Sequence, residues 1–352
     1  MAYLIHSGSV KDFYGENPPT DDTFGRGYLK FRKDPYGIGP ISIFDLKHRS
    51  PFGVMGKAEA MFDETVYFFE QMREHGIPTH YLGQRGDLEV AVCVAHIPPK
   101  DGWDAWVQDR GRKPFLIPAE VVITNTLTPV ASLHKRLRAG KVSPADYGLS
   151  AAPGKYETVV LPQPAITTST KLAAVDEYRD DLFDRAGLTQ AKRDVIRQTA
   201  IRANEITRAD AMQVGLDIAD GKFEFIMGPN GEILICDTYA TSDENRVLAQ
   251  ARDGRWVDLS KQFPRNLYTI NGYRELLEAA QGSGVPFAEW PVPELLDDPT
   301  MRVVERTYAV VRQELCRKPM GLDLQTVATE AQDTLDRFTE TYHRDIVGNK
   351  IQ

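Results

Sequence analysis

The chain has too little cysteine to be stapled by it. Only Cys93, Cys236 and Cys316 occur in 352 residues, and they lie far apart. No CxxC or Cys/His pair has a zinc-ligand spacing, so neither a disulfide framework nor structural zinc is expected. Long apolar runs are missing too, since no window approaches the roughly 18 residues of a membrane helix. The opening MAYLIHSGSVKDFYG lacks the basic-then-apolar pattern of a signal peptide. Positive charge is short: 42 Lys and Arg stand against 50 Asp and Glu, a net charge of −8. That argues against general nucleic-acid or anionic-membrane binding, but leaves room for a local basic pocket. These absences point to a reduced, soluble, cytoplasmic protein.

What is present reads as an ordinary globular chain, 42% apolar and 26% charged. Its length favours two lobes. Residues 1–45 alternate short strands with Gly, Pro and Asp turns. A helix is expected over 57–76, where Ala58, Met61, Phe62, Val66, Phe69 and Met72 recur at spacings of three and four. Strands are expected at 87–96 and 115–124, the second apolar enough to be buried on both faces. The segment 97–113 reads as a loop or extension, with Trp103 and Trp106 packing. Residues 133–165 read as irregular, 188–212 as a helix, and the region beyond about 266 as mostly helical, with an amphipathic helix at 301–318. This order of elements suggests an α+β or α/β enzyme with two lobes, and α+β is the fold class expected. The expected divisions are 1–119, an N-terminal nucleotide-binding lobe of strands and one helix, 120–270, a central α/β lobe with the metal and substrate site, and 271–352, a C-terminal helical region packed on the second lobe.

The stretch 220-DGKFEFIMGPNGEILICD-237 looks like a hairpin turned at Asn230-Gly231. With a two- or four-residue loop, Glu224 faces Asp237 across the strands; a three-residue loop shifts the register by one. Opposed carboxylates destabilise a sheet, so the pair asks for a cation. Lys222, on the same face as Asp220, could answer it. So could Mg²⁺, which takes one or two carboxylates together with substrate phosphates. A solvated strand end with Lys222 as a surface partner is the other reading, and the hairpin alone leaves both open. The loop after it adds Asp243, Glu244 and Arg246. Near the N-terminus, Gly8 and Lys11 form a Gly-x-x-Lys run that could approach an anion, although most such runs are plain turns.

Several segments, taken in order, resemble one family, the SAICAR synthetases, which are ATP-dependent phosphoribosylaminoimidazole-succinocarboxamide synthases. The segments are GSVKDFY at 8–14, SIFD ending at Asp45, GKAE at 56–59, GIPTHYL at 76–82 and PAEVVITN at 118–125. TTSTK ending at Lys171, the run from 215 to 246, and KQFPR at 261–265 complete the set. The resemblance implies a two-lobed fold akin to ATP-grasp and kinase folds, with ATP between the lobes. It implies Mg²⁺ on Glu224 and Asp237, and nucleotide contacts from Gly8, Lys11, Lys222, Glu224 and Asp237. The strand around 115–122 would read adenine through its backbone. Lys222 and Asp220 are the candidate catalytic residues. Asp45, Lys171, Asp243, Arg246, Arg265 and Thr124 are the candidate substrate residues.

The implied reaction joins a carboxylate to an amine. Oxide is a poor leaving group, so ATP first makes an acyl phosphate, and catalysis is mainly positioning and charge neutralisation. The chain departs from the family where an Arg is usual and Thr124 stands, and where Gly-Ser is usual and Pro129-Val130 stands. Losing that Arg removes a bidentate phosphate contact, and Pro129 removes a backbone N–H. Thr238 and Ser9 also replace usual residues. The expectation is therefore a ligase with an altered acceptor, serving a specialised or natural-product pathway, with housekeeping SAICAR synthesis as the alternative. A small-molecule kinase with Asp243 or Asp220 as general base is an alternative of another class. Retention of Lys11, Lys222, Glu224 and Asp237 speaks against a non-catalytic nucleotide binder. The partners expected are a small carboxylate and an amino-acid amine, with homo-oligomerisation left open.

Overall fold

The structure, a computed structural model, describes residues 2–34, 38–40, 53–110, 114–173 and 177–346. Strands β1 (Tyr3–Ser7), β2 (Lys11–Asn17) and β3 (Gly25–Phe31) open an antiparallel sheet. A small pair, β4 (Ile38–Pro40) and β5 (Gly53–Met55), precedes helix α1 (Lys57–Glu74). Strands β6 (Tyr81–Gly86) and β7 (Glu89–Val94) complete the first sheet in the order β1-β2-β3-β7-β6. Helix α1 forms where the apolar spacing expects it, and lays Met61, Phe68, Phe69 and Met72 into the core.

The segment 97–113, expected as a loop, contains helix α2 (Trp103–Arg110). Trp103 and Trp106 pack on the core, as expected. Strand β8 (Phe115–Leu127) is buried on both faces along nearly its whole length. The region 133–165 is more regular than expected. It holds α3 (Ser132–Arg138), a 3₁₀ turn at Pro144–Tyr147 and strand β9 (Val159–Thr170). Pro162 and Pro164 argue against a strand, yet β9 lies at the end of its sheet, where a missing N–H costs no ladder bond.

Helices α4 (Leu182–Arg185) and α5 (Gln190–Met212) lead into β10 (Leu216–Met227) and β11 (Ile233–Cys236). Strands β12 (Arg246–Gln250) and β13 (Trp256–Asp258) close the second sheet, ordered β13-β12-β10-β8-β9 with β11 also on β10. Helices α6 (Gln262–Ile270), α7 (Tyr273–Gly282), α8 (Asp298–Leu315) and α9 (Leu324–Tyr342) form the expected helical region. Helix α8 packs against both α1 and α9. The sheets meet where Ile235 N donates to Pro78 O (3.0 Å) and His80 N donates to Ile235 O (2.8 Å). The fold is α+β. Among the described residues no helix is long and apolar enough to cross a membrane.

The β10–β11 register corrects the expectation. Glu224 faces Cys236, not Asp237, and Ile226 faces Leu234. The loop holds three residues, because Gly228 N already donates to Glu232 O (2.8 Å). Gly231 closes it at φ 82°, the left-handed residue a three-residue hairpin needs.

Candidate active site

A cleft of about 550 Å³ lies between the two sheets. Gly8 and Lys11 line it from the β1–β2 turn, and Lys171, Lys222, Glu224 and Asp237 line it from the second sheet. At the turn Gly8 N donates to Lys11 O (2.9 Å), and a Cβ at Gly8 would sit 2.7 Å from that oxygen. Leu29, Phe31, Ala95, Leu116 and Ile226 give the cleft an apolar wall. Of the strand expected to read adenine, Leu116 reaches it.

Asp237 reaches the cleft by a different route from the one expected. Successive strand side chains point to opposite faces, so a residue continuing β11 would turn away from Cys236. Asp237 instead has φ 64°, and both Cys236 and Asp237 line the cleft. Its carbonyl accepts from His80 Nε2 (2.9 Å), a ring that burial keeps neutral by lowering its pKa to about 4. Its carboxylate pairs with Lys11 Nζ (2.9 Å), which also donates to Thr238 Oγ1 (3.0 Å).

Glu224 pairs with Lys171 and lies 3.8 Å from Lys222 Nζ. Lys222 also meets Glu120 (3.0 Å) and Glu244 (3.3 Å). Burial pushes the Glu224 carboxyl up to about 7, and the nearby Asp237 charge pushes the same way against Lys171. Burial also works to raise Asp237, but Lys11 and Lys171 hold it well below the usual carboxylate range. The two acids are thus inequivalent, one poised and one firmly charged.

Asp243 lines the cleft as well, bound to Lys57 Nζ (2.9 Å) and accepting from Tyr308 OH (3.0 Å). Lys261 stands 3.9 Å from it on the cleft side, and burial lowers that ammonium to about 8. Asp220, Arg246, Thr124 and Arg265 are not among the residues lining this cleft. Asp220 is ion-paired with Arg246, whose guanidinium also donates to Gln262 (3.3 Å). Thr124 faces Asp220 from β8 and is buried. Arg265 follows on α6, close enough to depress Lys261. Asp45 lies outside the described residues.

Three residues of the site have no role in the sequence reading. Glu120 is a lone acid inside the doubly buried β8, and that isolation is the signal that could have found it. Lys57 falls in one stripe of α1 with Met61, Glu64, Phe68 and Met72, all at most 1% exposed; a lysine on an apolar stripe needs a buried partner. Lys261 carries no such sign in KQFPR.

What could this arrangement hold? Lys11, Lys171 and Lys222 offer positive charge to a polyphosphate, and the apolar wall suits a flat base. Among the described residues no three His, Cys, Asp or Glu side chains converge on a metal position. Two carboxylates on one cleft fit a hard cation shared with phosphate oxygens, not a protein-only cage.

A family model for SAICAR synthetase matches residues 4–280. The phosphoribosylaminoimidazole-succinocarboxamide synthase of Thermoplasma acidophilum is 30% identical over 304 residues, 85% of this chain and 94% of that one. Its Thermoplasma volcanium counterpart is 27% identical over the same shares. Among solved structures, a SAICAR synthase superposes at TM-score 0.60 with 16% identity, over 91% of this chain and 97% of that one. A type-2 SAICAR synthetase in complex with ADP superposes at 0.52 with 22% identity, over 84% and 100%. These structural likenesses speak for the fold. With the family match spanning most of the sequence, the chain belongs to the SAICAR synthetase family, ATP-dependent ligases that form a C–N bond.

Proposed function

We propose that the chain is a SAICAR synthase, joining the carboxylate of an aminoimidazole carboxylate ribotide to the amine of aspartate. The observation that carries it is the meeting of Lys11, Lys171 and Lys222 with Glu224 and Asp237 in one cleft with an apolar wall. Similarity to the archaeal synthase over 94% of its length favours this housekeeping reaction over the altered acceptor expected from Thr124. The nucleotide lies between the sheets, its base on the apolar wall and its phosphates toward the lysines. Glu224 and Asp237 would hold Mg²⁺, which would supply neutralisation of phosphate charge. The substrate carboxylate attacks the γ-phosphorus and ADP leaves. The aspartate amine then attacks the acyl carbon, phosphate departs and the amine loses a proton. Lys11, Lys171 and Lys222 hold and neutralise the phosphates through both steps. Lys261, lowered to about 8, can exchange a proton near neutral pH.

A second reading keeps the ligase and changes the carboxylate. It rests on Thr124, a buried neutral residue facing the Asp220–Arg246 pair where the resemblance calls for an arginine. The two bases weighed for a kinase have less support: Lys57 and Lys261 bring Asp243 down to about 2 against the effect of burial, and Asp220 is tied to Arg246.

The test is turnover of the ribotide with aspartate and Mg·ATP. Equal yields of SAICAR, ADP and phosphate are expected. Glu224→Gln and Asp237→Asn should each weaken Mg·ATP binding by about 10- to 100-fold, the cost of disturbing a metal site. ADP release from another carboxylate–amine pair, with none from the ribotide, would establish the second reading in place of the first.

A further inference from the structure

Glu120 sits under the cleft floor and is not among the residues lining it. It is 4% exposed, at the middle of three strands, facing Glu224 on β10 and Ser169 on β9. Two carboxylates directly opposed across a sheet repel each other. Here two ammonium groups answer both. Glu120 Oε1 lies 3.0 Å from Lys222 Nζ and 3.5 Å from Lys171 Nζ. Ser169 Oγ donates to Oε2 at 3.4 Å.

The same two lysines also crowd Glu224. Lys171 is in contact with its carboxylate and Lys222 lies 3.8 Å away. An ammonium and a divalent cation compete for one carboxylate and repel each other. A cation can take Glu224 only if both lysines keep a counter-ion elsewhere. Lys222 has Glu244 at 3.3 Å, but Glu120 reaches both. Glu120 does not line the cleft, and its charged partners are these two lysines.

We infer that Glu120 is a positioning residue that holds Lys171 and Lys222 to the cleft floor and so frees Glu224 for a divalent cation bound with the nucleotide. The inference rests on the proposed role of Glu224 as a metal ligand. Glu120 is thereby a supporting acid behind the lysines.

The experiment is calorimetric titration of ADP into the whole protein, with and without Mg²⁺, for wild type, Glu120→Gln and Glu224→Gln. In Glu120→Gln the gain in ADP affinity that Mg²⁺ brings should fall by about 10- to 100-fold, while metal-free ADP binds nearly as in wild type. A full Mg²⁺ gain in that variant overturns the inference. So does an equal loss with and without Mg²⁺, which is what a purely structural residue would give. If Glu120→Gln does not fold, Glu120→Met with Lys222→Met is compared with Lys222→Met alone, so that both members of the ion pair are removed together. A further loss of the Mg²⁺ gain then supports the inference and an unchanged gain overturns it. Glu224→Gln separates the two ideas. If it keeps the full gain, the metal assignment itself fails. If it loses the gain while Glu120→Gln keeps it, only the role of Glu120 fails.

Discussion

Lys57 Nζ lies 2.9 Å from the Asp243 carboxylate, and this lysine has no exposed surface at all. Its ammonium also stands 5.0 Å from the centre of the Tyr308 ring, whose hydroxyl donates to the same acid. Helices α1 and α8 therefore converge on one cleft residue.

Lys57→Met should cost about 3–5 kcal/mol in urea denaturation, because it strands a buried carboxylate. Tyr308→Phe should cost about 1.5–3 kcal/mol, the range of a hydrogen bond to a charged group. A Lys57→Met loss below about 1 kcal/mol, typical of a surface pair, would mean that Lys261 already balances Asp243.

Glu64 sets a pH dependence of stability. Burial raises its carboxyl from 4.5 to about 8, although Ser242 N and Oγ both bond to it. Between those values the folded protein holds a proton that the unfolded chain has lost. Stability contributed by this group therefore falls as pH rises through that window and levels off above it. Glu64→Gln should remove the slope, so the variant gains on wild type between about pH 5 and about pH 8. Parallel denaturation midpoints across that range would show that folded Glu64 is charged.

Gly231 holds the hairpin register through its left-handed backbone. Its missing Cβ would meet only the mobile end of Lys192, at 3.1 Å. Gly231→Ala should therefore cost about 1–2 kcal/mol from backbone strain. Gly231→Asn should cost less, since Asn tolerates this conformation. Thermal and urea unfolding of both variants check the order.

Sequence patterning carried the long elements well, and the site only in part. Helix α1 and strand β8 have apolar patterns long enough to fix their type. Strand β9 was hidden by Pro162 and Pro164, whose tolerance depends on an edge position that emerges only when the sheet assembles. Glu224 and Asp237 do share a cleft, but through a three-residue loop and a left-handed Asp237 in place of direct opposition. A one-residue difference in loop length is too small for turn signals to resolve. Lys57 and Glu120 were missed because their partners are distant in sequence.

Strand β10 carries Asp220, Lys222 and Glu224 at alternate positions, so it acts as a ruler. Strand rise is about 3.3 Å per residue, which makes the step from Glu224 to Asp220 a property of the backbone, not of side-chain conformation. An insertion or deletion within it would turn every residue beyond the change to the opposite face. Point substitutions on neighbouring strands, for example at Thr124 on β8, leave that spacing untouched. Evolution, or an engineer, can therefore retool the end of the strand near Arg246 one residue at a time while the distance to the end carrying Glu224 stays constant.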